Sequence, residues 1–171
     1  MNTLETIKTR RSIRAYTDQE IQKADLQEII TSGMYAPSAH NQQAREFLVI
    51  QNKDQQSRLG EHLKFGKMLP QANAIIVSCF DKNKLTDAPF IQQDMGACTQ
   101  NILLSAQEKG IGAVRIGIYP VNNPDNFLNA YLGIPESFEV FNLISLGYPN
   151  ISAPSRDKEC DLPEKIHRIV W

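Results

Sequence analysis

Hydrophobic residues recur along this 171-residue chain at two spacings, which predict a mixture of helices and strands. Spacings of three to four residues predict one helix from about residue 23 to just before Pro37 and a second, buried on most sides, over 91–109. Runs rich in aromatic and β-branched residues predict four strands, over 46–50, 74–80, 113–118 and 138–146. Because helices and strands alternate after residue 20, periodicity alone favours a parallel α/β sheet.

Capping residues predict three shorter helices, which begin after Asn2, Asn52 and Asn123. The second is expected to end near Leu63 and the third at Gly133.

Length and composition predict a single domain over residues 1–171. The formal net charge of −1 does not suit the broad basic face of a nucleic-acid-binding protein. The apolar runs are too short to span a bilayer and none resembles a secretory leader, so no membrane attachment is expected.

The cysteines and histidines favour neither a disulfide framework nor a metal site. Cys79, Cys98 and Cys160 are odd in number and far apart, which fits a reducing cytoplasm. The three histidines lack the spacing of metal ligands, so we expect no bound metal.

Positive charge is densest at Arg10-Arg11-Ser12-Ile13-Arg14. In an extended segment, Arg10, Ser12 and Arg14 share one face, while Arg11 and Ile13 share the other. An arginine fork donates two parallel hydrogen bonds to phosphate oxygens and keeps its charge at any working pH. The first face is therefore a candidate phosphate clamp, and a solvated basic surface is the alternative interpretation.

Two further segments suit a planar phosphorylated cofactor. Residues 38–43 are small and amide-rich, and they lie in a loop that leads into the first strand. Gly112 and Gly117 bracket another strand, where backbone without a side chain could approach a ring. Arginine for the phosphate, amides for the ring edges and glycine beneath the ring make flavin mononucleotide (FMN) the natural candidate.

Four segments, in order along the chain, resemble motifs of the FMN-dependent nitroreductase family of flavin oxidoreductases. They are Arg10–Arg14, similar to R-R-S-x-R; Ala36–Gln43, similar to A-P-S-x-x-N-x-Q; the helix from Asp94 to the Gly110-Ile111-Gly112 turn; and Leu146-Gly147-Tyr148-Pro149. The resemblance covers nearly the whole chain and implies an α+β fold, with a mostly antiparallel sheet flanked by helices. It also implies an intertwined homodimer with an FMN site at each subunit interface.

The resemblance further implies which residues contact the cofactor. Those expected from one subunit are Arg10, Arg11, Ser12, Arg14, Lys64 or Lys67, Ile116, Gly117 and Arg156, and those expected from the partner are Pro37, Ser38, Ala39 and Asn41. Within this set, Arg10, Ser12 and Arg14 would hold the phosphate and ribityl chain, and Arg156 would close on the phosphate.

The sequence departs from the family pattern at two arginines. Arg45 stands where many members have tryptophan in Q-P-W, and a structural role is the favoured interpretation there. Arg115 stands where many have tryptophan before I-G. For Arg115, a packing role and a functional role, in stabilising the reduced anionic ring or attracting acidic substrates, are both open.

The implied activity is a two-electron, ping-pong transfer of hydride from NADH or NADPH through FMN to an electron-poor small molecule such as a nitroaromatic or quinone. Because the cofactor carries the chemistry, no catalytic acid or base is assigned. The alternatives are a specialised relative that consumes flavin, dehalogenates or dehydrogenates, and a non-enzymatic FMN-binding protein.

Overall fold

Five helices and four strands make up the part of the chain that the computed structural model describes, residues 2–121, 123, 126–150 and 167. The helices are α1 (Thr3–Thr9), α2 (Lys23–Met34), α3 (Lys53–His62), α4 (Ile91–Glu108) and α5 (Phe127–Leu132). The strands are β1 (Arg45–Ile50), β2 (Ala74–Asp81), β3 (Gly112–Gly117) and β4 (Phe138–Gly147). The predicted elements are confirmed, with ends that differ by a few residues.

The four strands form one sheet in the order β1-β2-β4-β3, and every neighbouring pair is antiparallel. The α+β fold implied by the family resemblance is confirmed, and the parallel sheet favoured by periodicity is wrong. Alternation of helix and strand does not fix direction, because a connecting helix can return the chain to either end of a sheet.

Two hydrophobic clusters cover the two faces of this sheet. One joins Leu59 of α3 to Val77 of β2 and also includes α5, and the other joins Ile102 of α4 to Ile76 of β2 and includes α2. Because side chains alternate along a strand, β2 contributes to both clusters, which explains its apolar run from Ala74 to Val77.

Glycine and asparagine determine several helix ends. Asn2 and Asn52 cap the starts of α1 and α3. The side-chain oxygen of each accepts a hydrogen bond from the backbone N–H three residues later, that of Glu5 at 2.9 Å and that of Gln55 at 3.0 Å. Gly133, with a φ of 65°, ends α5 as predicted. The start of α5 was predicted wrongly: its cap residue is Asn126, in a left-handed conformation, whereas Asn123 accepts from the N–H of Leu128 at 3.0 Å.

Candidate functional site

The arginine-rich segment is extended and lies along the outer edge of β3. Ser12 bridges Ala113, and the Ile13 N–H donates to the carbonyl oxygen of Ala113 at 3.1 Å. Ile13 packs into the core, whereas Ser12 and Arg14 are exposed. The predicted alternation is confirmed from Ser12 to Arg14, and it directs Arg14 outward, whereas Arg10 and Arg11 are both half-buried.

Contacts of Ile13 and of Tyr16 fix the position of this segment. A Cβ on Gly112 would stand 2.7 Å from the Cβ of Ile13, so only glycine admits the segment at this distance. Beyond it, the hydroxyl of Tyr16 lies 2.7 Å from the carbonyl oxygen of Ile13 and 2.7 Å from the Oγ of Ser145. The ring of Tyr16 in turn lies against Gly147, where a Cβ would be 2.7 Å away. Sequence reasoning missed Tyr16, and the available signal was Gly147, a small residue at the end of a strand.

Arg14 faces a cavity of about 480 Å³ beside β3, a size within the range of about 300–1,000 Å³ found for small-molecule sites. Its lining residues come from the arginine segment, from the stretch after α3 and from β3, and they are Arg14, Lys64, Phe65, Lys67, Met68, Val114, Arg115, Ile116 and Gly117. The structure thus gathers five of the residues expected at the cofactor: Arg14, Lys64, Lys67, Ile116 and Gly117.

Backbone groups of β3 also face the outer side of this strand. Because the carbonyl of Ala113 points away from β4 towards Ile13, alternation directs the N–H and C=O groups of Arg115 and Gly117 to the same outer side. A Cβ built on Gly117 would meet no atom of the described residues within 4 Å. Among the described residues, no side chain therefore covers the Cα of Gly117.

A tight turn after α3 brings the two lysines to the cavity. A Cβ on Gly60 would stand 2.7 Å from the Cδ of Pro70, and the N–H of Gly66 donates to a carbonyl three residues earlier at 2.8 Å. Lys64 and Lys67, on either side of Gly66, both line the cavity, so which of them contacts a cofactor stays open.

Pro37, Ser38, Ala39 and Asn41 do not reach this cavity within one subunit. They lie in the loop before β1, and β1 and β3 are the two outer strands of the sheet. Three strand spacings of about 4.8 Å separate these strands by roughly 14 Å. The start of β1 and the end of β3 lie at the same end of the sheet, because Arg45 pairs with Phe80 and Gly117 with Asn142.

The loop before β1 is held in an unusual backbone conformation. His40, Asn41 and Gln43 have φ values of 48°, 55° and 44°. Residues other than glycine rarely adopt this left-handed backbone conformation. Buried Asp94 of α4 accepts from the N–H of Ala39 at 3.0 Å, and also from the side-chain amide of Gln42 at 2.6 Å.

Gln42 links this loop to the polar segment before α4. Its Oε1 accepts from the N–H groups of Thr86 and Asp87 at 3.2 and 3.1 Å. His40 adds a contact, with its Nε2 3.3 Å from a carboxylate oxygen of Asp87. Sequence reasoning recognised the amides of the loop but missed Asp94 as their anchor; the available signal was an acidic residue in a helix predicted to be buried on most sides.

Two of the remaining arginines support the backbone. Arg45 is only 5% exposed and donates to the carbonyl oxygens of Met34 and Ala36 at 2.7 and 2.8 Å, which confirms its structural interpretation. Arg11 donates to the carbonyl oxygens of Lys8 and Arg10 at 2.8 and 2.9 Å, at the end of α1. Arg156 lies outside the described residues, so its expected closure on the phosphate stays a prediction.

Neither of the described cysteines is poised as a nucleophile. Burial raises the pKa of Cys79 to about 12 and that of Cys98 to about 11, with the Arg45 charge opposing the shift at Cys98. Both thiols are therefore protonated at neutral pH. Among the described residues, no cluster of three or more His, Cys, Asp or Glu could hold a metal ion, and no helix is long and apolar enough to span a bilayer.

Comparison with known proteins gives the same class as the fold and the site. The model of the nitroreductase family matches residues 7–66 and 63–148. A protein of Archaeoglobus fulgidus, provisionally named NADH dehydrogenase/NAD(P)H nitroreductase, is 42% identical over 171 residues, which cover 98% of each chain. The chain therefore belongs to the nitroreductase family.

Solved structures agree over the whole fold. A protein from Desulfovibrio desulfuricans, provisionally called a nitroreductase and crystallised in complex with FMN, is 30% identical with a TM-score of 0.84, and the match covers 100% of this chain and 98% of that one. The NADPH:FMN oxidoreductase of Vibrio harveyi, complexed with NAD+, is 25% identical with a TM-score of 0.85, over 100% of this chain and 78% of that one.

Proposed function

We propose that this protein is an FMN-dependent NAD(P)H oxidoreductase. When bound, the flavin would supply two-electron hydride chemistry, accepting hydride at N5 from NADH or NADPH and passing it to an electron-poor nitroaromatic or quinone in a ping-pong sequence. The observation that carries the proposal is the cavity in which cationic side chains lie beside Ile116 and Gly117 of β3.

The residues around this cavity fit the two ends of FMN. Arg10, Ser12 and Arg14 would hold the phosphate, since they lie on the outward face of a segment that Ile13 anchors to β3. Arg11, beside them, would contribute positive charge while its guanidinium supports the end of α1. Arg156 would complete the phosphate site.

The ring would lie against the outer side of β3. Ile116 and Gly117 would contact it, and Lys64 or Lys67 would donate to its polar edge. These residues bind and orient the ring, and the apolar Phe65 and Met68 reduce the access of water to it. No side chain of the cavity needs to transfer a proton for hydride to move.

We further propose an intertwined homodimer in which the partner supplies Pro37, Ser38, Ala39 and Asn41 to each site. The separation of β1 from β3 supports this arrangement, because the two groups of residues lie at opposite edges of one sheet. Tyr35, next to that loop, leaves 83% of its surface exposed, and Leu4 of α1 leaves 68% exposed. Large exposed apolar side chains are typical of surfaces that a partner covers.

The cofactor and the donor are tested on the purified protein. We expect a flavin absorption spectrum, release of FMN on denaturation, and bleaching of the flavin when NADH or NADPH is added without oxygen. Parallel double-reciprocal plots with a nitroaromatic or quinone acceptor would support the ping-pong sequence. A protein that binds no FMN on titration would contradict the proposal, and bound FMN that neither donor reduces would favour a flavin-binding protein that is not an enzyme.

The shared site is tested by mixing two inactive variants. Arg14→Ala should weaken FMN binding from one side of the site, and Asn41→Ala should weaken it from the other. Refolding the two together should form mixed dimers with one doubly altered site and one intact site, and so restore about a quarter of all sites. Mixing that restores no FMN binding, or a protein that is monomeric by light scattering, would contradict the shared site.

A further inference from the structure

Four cationic side chains, Arg14, Lys64, Lys67 and Arg115, line the cavity beside β3. The other lining residues carry no charge, and none of the described carboxylates forms an ion pair with these four side chains. The whole chain has a formal net charge of −1, so this positive charge is local. A concave surface with one sign of charge concentrates ligands of the opposite sign.

The proposed cofactor does not account for all of this charge. Its phosphate would be held by the arginine segment, which contributes Arg14 to the cavity, and its ring would use either Lys64 or Lys67. Arg115 and the second lysine are then left for another ligand.

Arg115 is placed to reach a ligand that lies on the ring. It lies two residues before Gly117 on β3, and side chains two residues apart project from the same face of a strand. The two Cα atoms are about 6.6 Å apart at the usual rise per residue, and the Arg115 side chain is exposed. An extended arginine side chain spans a similar distance, so its guanidinium can reach the part of the cavity that Gly117 lines.

We propose that Arg115, together with the lysine that the cofactor does not use, forms a second anion site in this cavity. The site takes the carboxylate or phosphate of the ligand that exchanges hydride with the flavin, either an acidic acceptor or the nicotinamide dinucleotide. This inference rests on the proposed function, since it places the anion beside the flavin. A guanidinium suits the role because it binds carboxylate and phosphate in the same bidentate geometry.

The test compares a carboxylate with its neutral isostere. Benzoate and benzamide are titrated into the oxidised protein by calorimetry, and 4-nitrobenzoate and 4-nitrobenzamide are compared as acceptors. We expect the carboxylates to be preferred by roughly tenfold at low salt and the preference to fall with increasing ionic strength. Arg115→Gln should remove most of the preference, Arg115→Lys should retain part of it, and NADH and NADPH are titrated in parallel.

Arg58→Gln is the matched control, because Arg58 stacks on Tyr131 outside the cavity, 5.3 Å from the ring centre. This variant should leave the preference for benzoate over benzamide, and for 4-nitrobenzoate over 4-nitrobenzamide, unchanged. A loss of carboxylate preference in Arg115→Gln assigns the site to the acceptor, and a selective rise in the KM of the dinucleotides assigns it to their phosphates; either result supports the inference.

Three results would overturn the second anion site. The first is equal affinity of the wild-type protein for benzoate and benzamide, together with dinucleotide KM values that Arg115→Gln does not change. The second is a carboxylate preference and dinucleotide KM values that are all unchanged in Arg115→Gln. The third is a loss of FMN itself in that variant, which would make Arg115 a cofactor ligand. Failure of the proposed function is recognised separately, by the absence of bound FMN or of its reduction by NADH and NADPH. The benzoate titration is carried out on the FMN-bound protein and does not require reduction by NADH or NADPH.

Discussion

Ile13 lies directly on Gly112, at a distance that leaves no room for even one methyl group on the glycine. The Cβ of an alanine there would stand 2.7 Å from both the Cβ and the Cγ2 of Ile13. Since Ile13 anchors the arginine segment to β3, this contact sets the position of the proposed phosphate clamp.

Gly112→Ala should therefore displace the clamp. We expect a loss of about 1–3 kcal/mol in the free energy of unfolding from overpacking, and an FMN dissociation constant raised by about tenfold or more, a loss of roughly 1.4 kcal/mol in binding. Urea unfolding and flavin fluorescence titration measure the two quantities. Gly96→Ala is the control, because a Cβ there meets no atom of the described residues within 4 Å; equal FMN affinity of the two variants would refute the role of the contact.

Asp94 is expected to require both of its carboxylate oxygens as hydrogen-bond acceptors, so that Asp94→Asn destabilises the protein although the two side chains have the same shape. Its two oxygens accept from Ala39 and Gln42, so the amide of Asp94→Asn must point a donor at one of these donors. Gln42 cannot relieve the conflict by flipping its amide, because its oxygen already accepts from two backbone N–H groups. We expect Asp94→Asn to lower the free energy of unfolding by about 1–3 kcal/mol.

Urea unfolding of Asp94→Asn checks this value, and proteolysis within residues 37–43 reports the release of the loop. Asp25→Asn is the control, since Asp25 makes a partly exposed ion pair with Lys109 at 2.9 Å and should lose no more than about 1 kcal/mol. Equal losses in both variants would mean that Asp94 does not anchor the loop.

Arg45→Met should destabilise the fold by about 2–4 kcal/mol. Methionine fills much of the same volume but leaves the carbonyl oxygens of Met34 and Ala36 without their donor at the end of α2, where the bond to Ala36 is buried. Arg58 lies on the surface, so Arg58→Met should lower the free energy of unfolding by less than about 1 kcal/mol. Chemical denaturation of both variants decides the matter, and a tolerated Arg45→Met would show that water replaces the guanidinium at these carbonyls.

Stability should fall as the pH rises above about 9. Burial raises the pKa of Tyr16 and Cys79 to about 12 and that of Cys98 to about 11 in the folded state, whereas the unfolded chain ionises near the ordinary values of 10 and 9. The unfolded state loses these protons first, so each group contributes stability that is complete below its unfolded pKa and is lost as the pH climbs to its folded pKa.

At roughly 1.4 kcal/mol per pKa unit, the expected loss in the free energy of unfolding is on the order of 3–4 kcal/mol for each group once the pH exceeds its folded pKa. Urea unfolding from pH 8 to pH 11 measures the slope, and Tyr16→Phe together with Cys79→Ala should flatten it. An unchanged slope in that double variant would show that these two groups do not ionise on unfolding.

Most of what could be predicted from the sequence depended on residues within a few positions of one another. Asn2 and Asn52 indicated helix starts because a capping side chain bonds to backbone within three residues of itself. The alternation from Arg10 to Arg14 indicated two faces because an extended chain has a period of two. Arg45 could be interpreted only in outline, since its partners Met34 and Ala36 come close only when α2 ends beside β1.

The sequence by itself determined the elements, their caps and the residue types of the candidate clamp, because these depend on spacing within a few residues. Only the tertiary structure decided the antiparallel order β1-β2-β4-β3 and the meeting of Arg14, Lys64, Lys67 and Arg115 in one cavity. These depend on packing between segments 25 or more residues apart. Burial of the two sheet faces selects this arrangement, and the pattern within any one segment does not specify it.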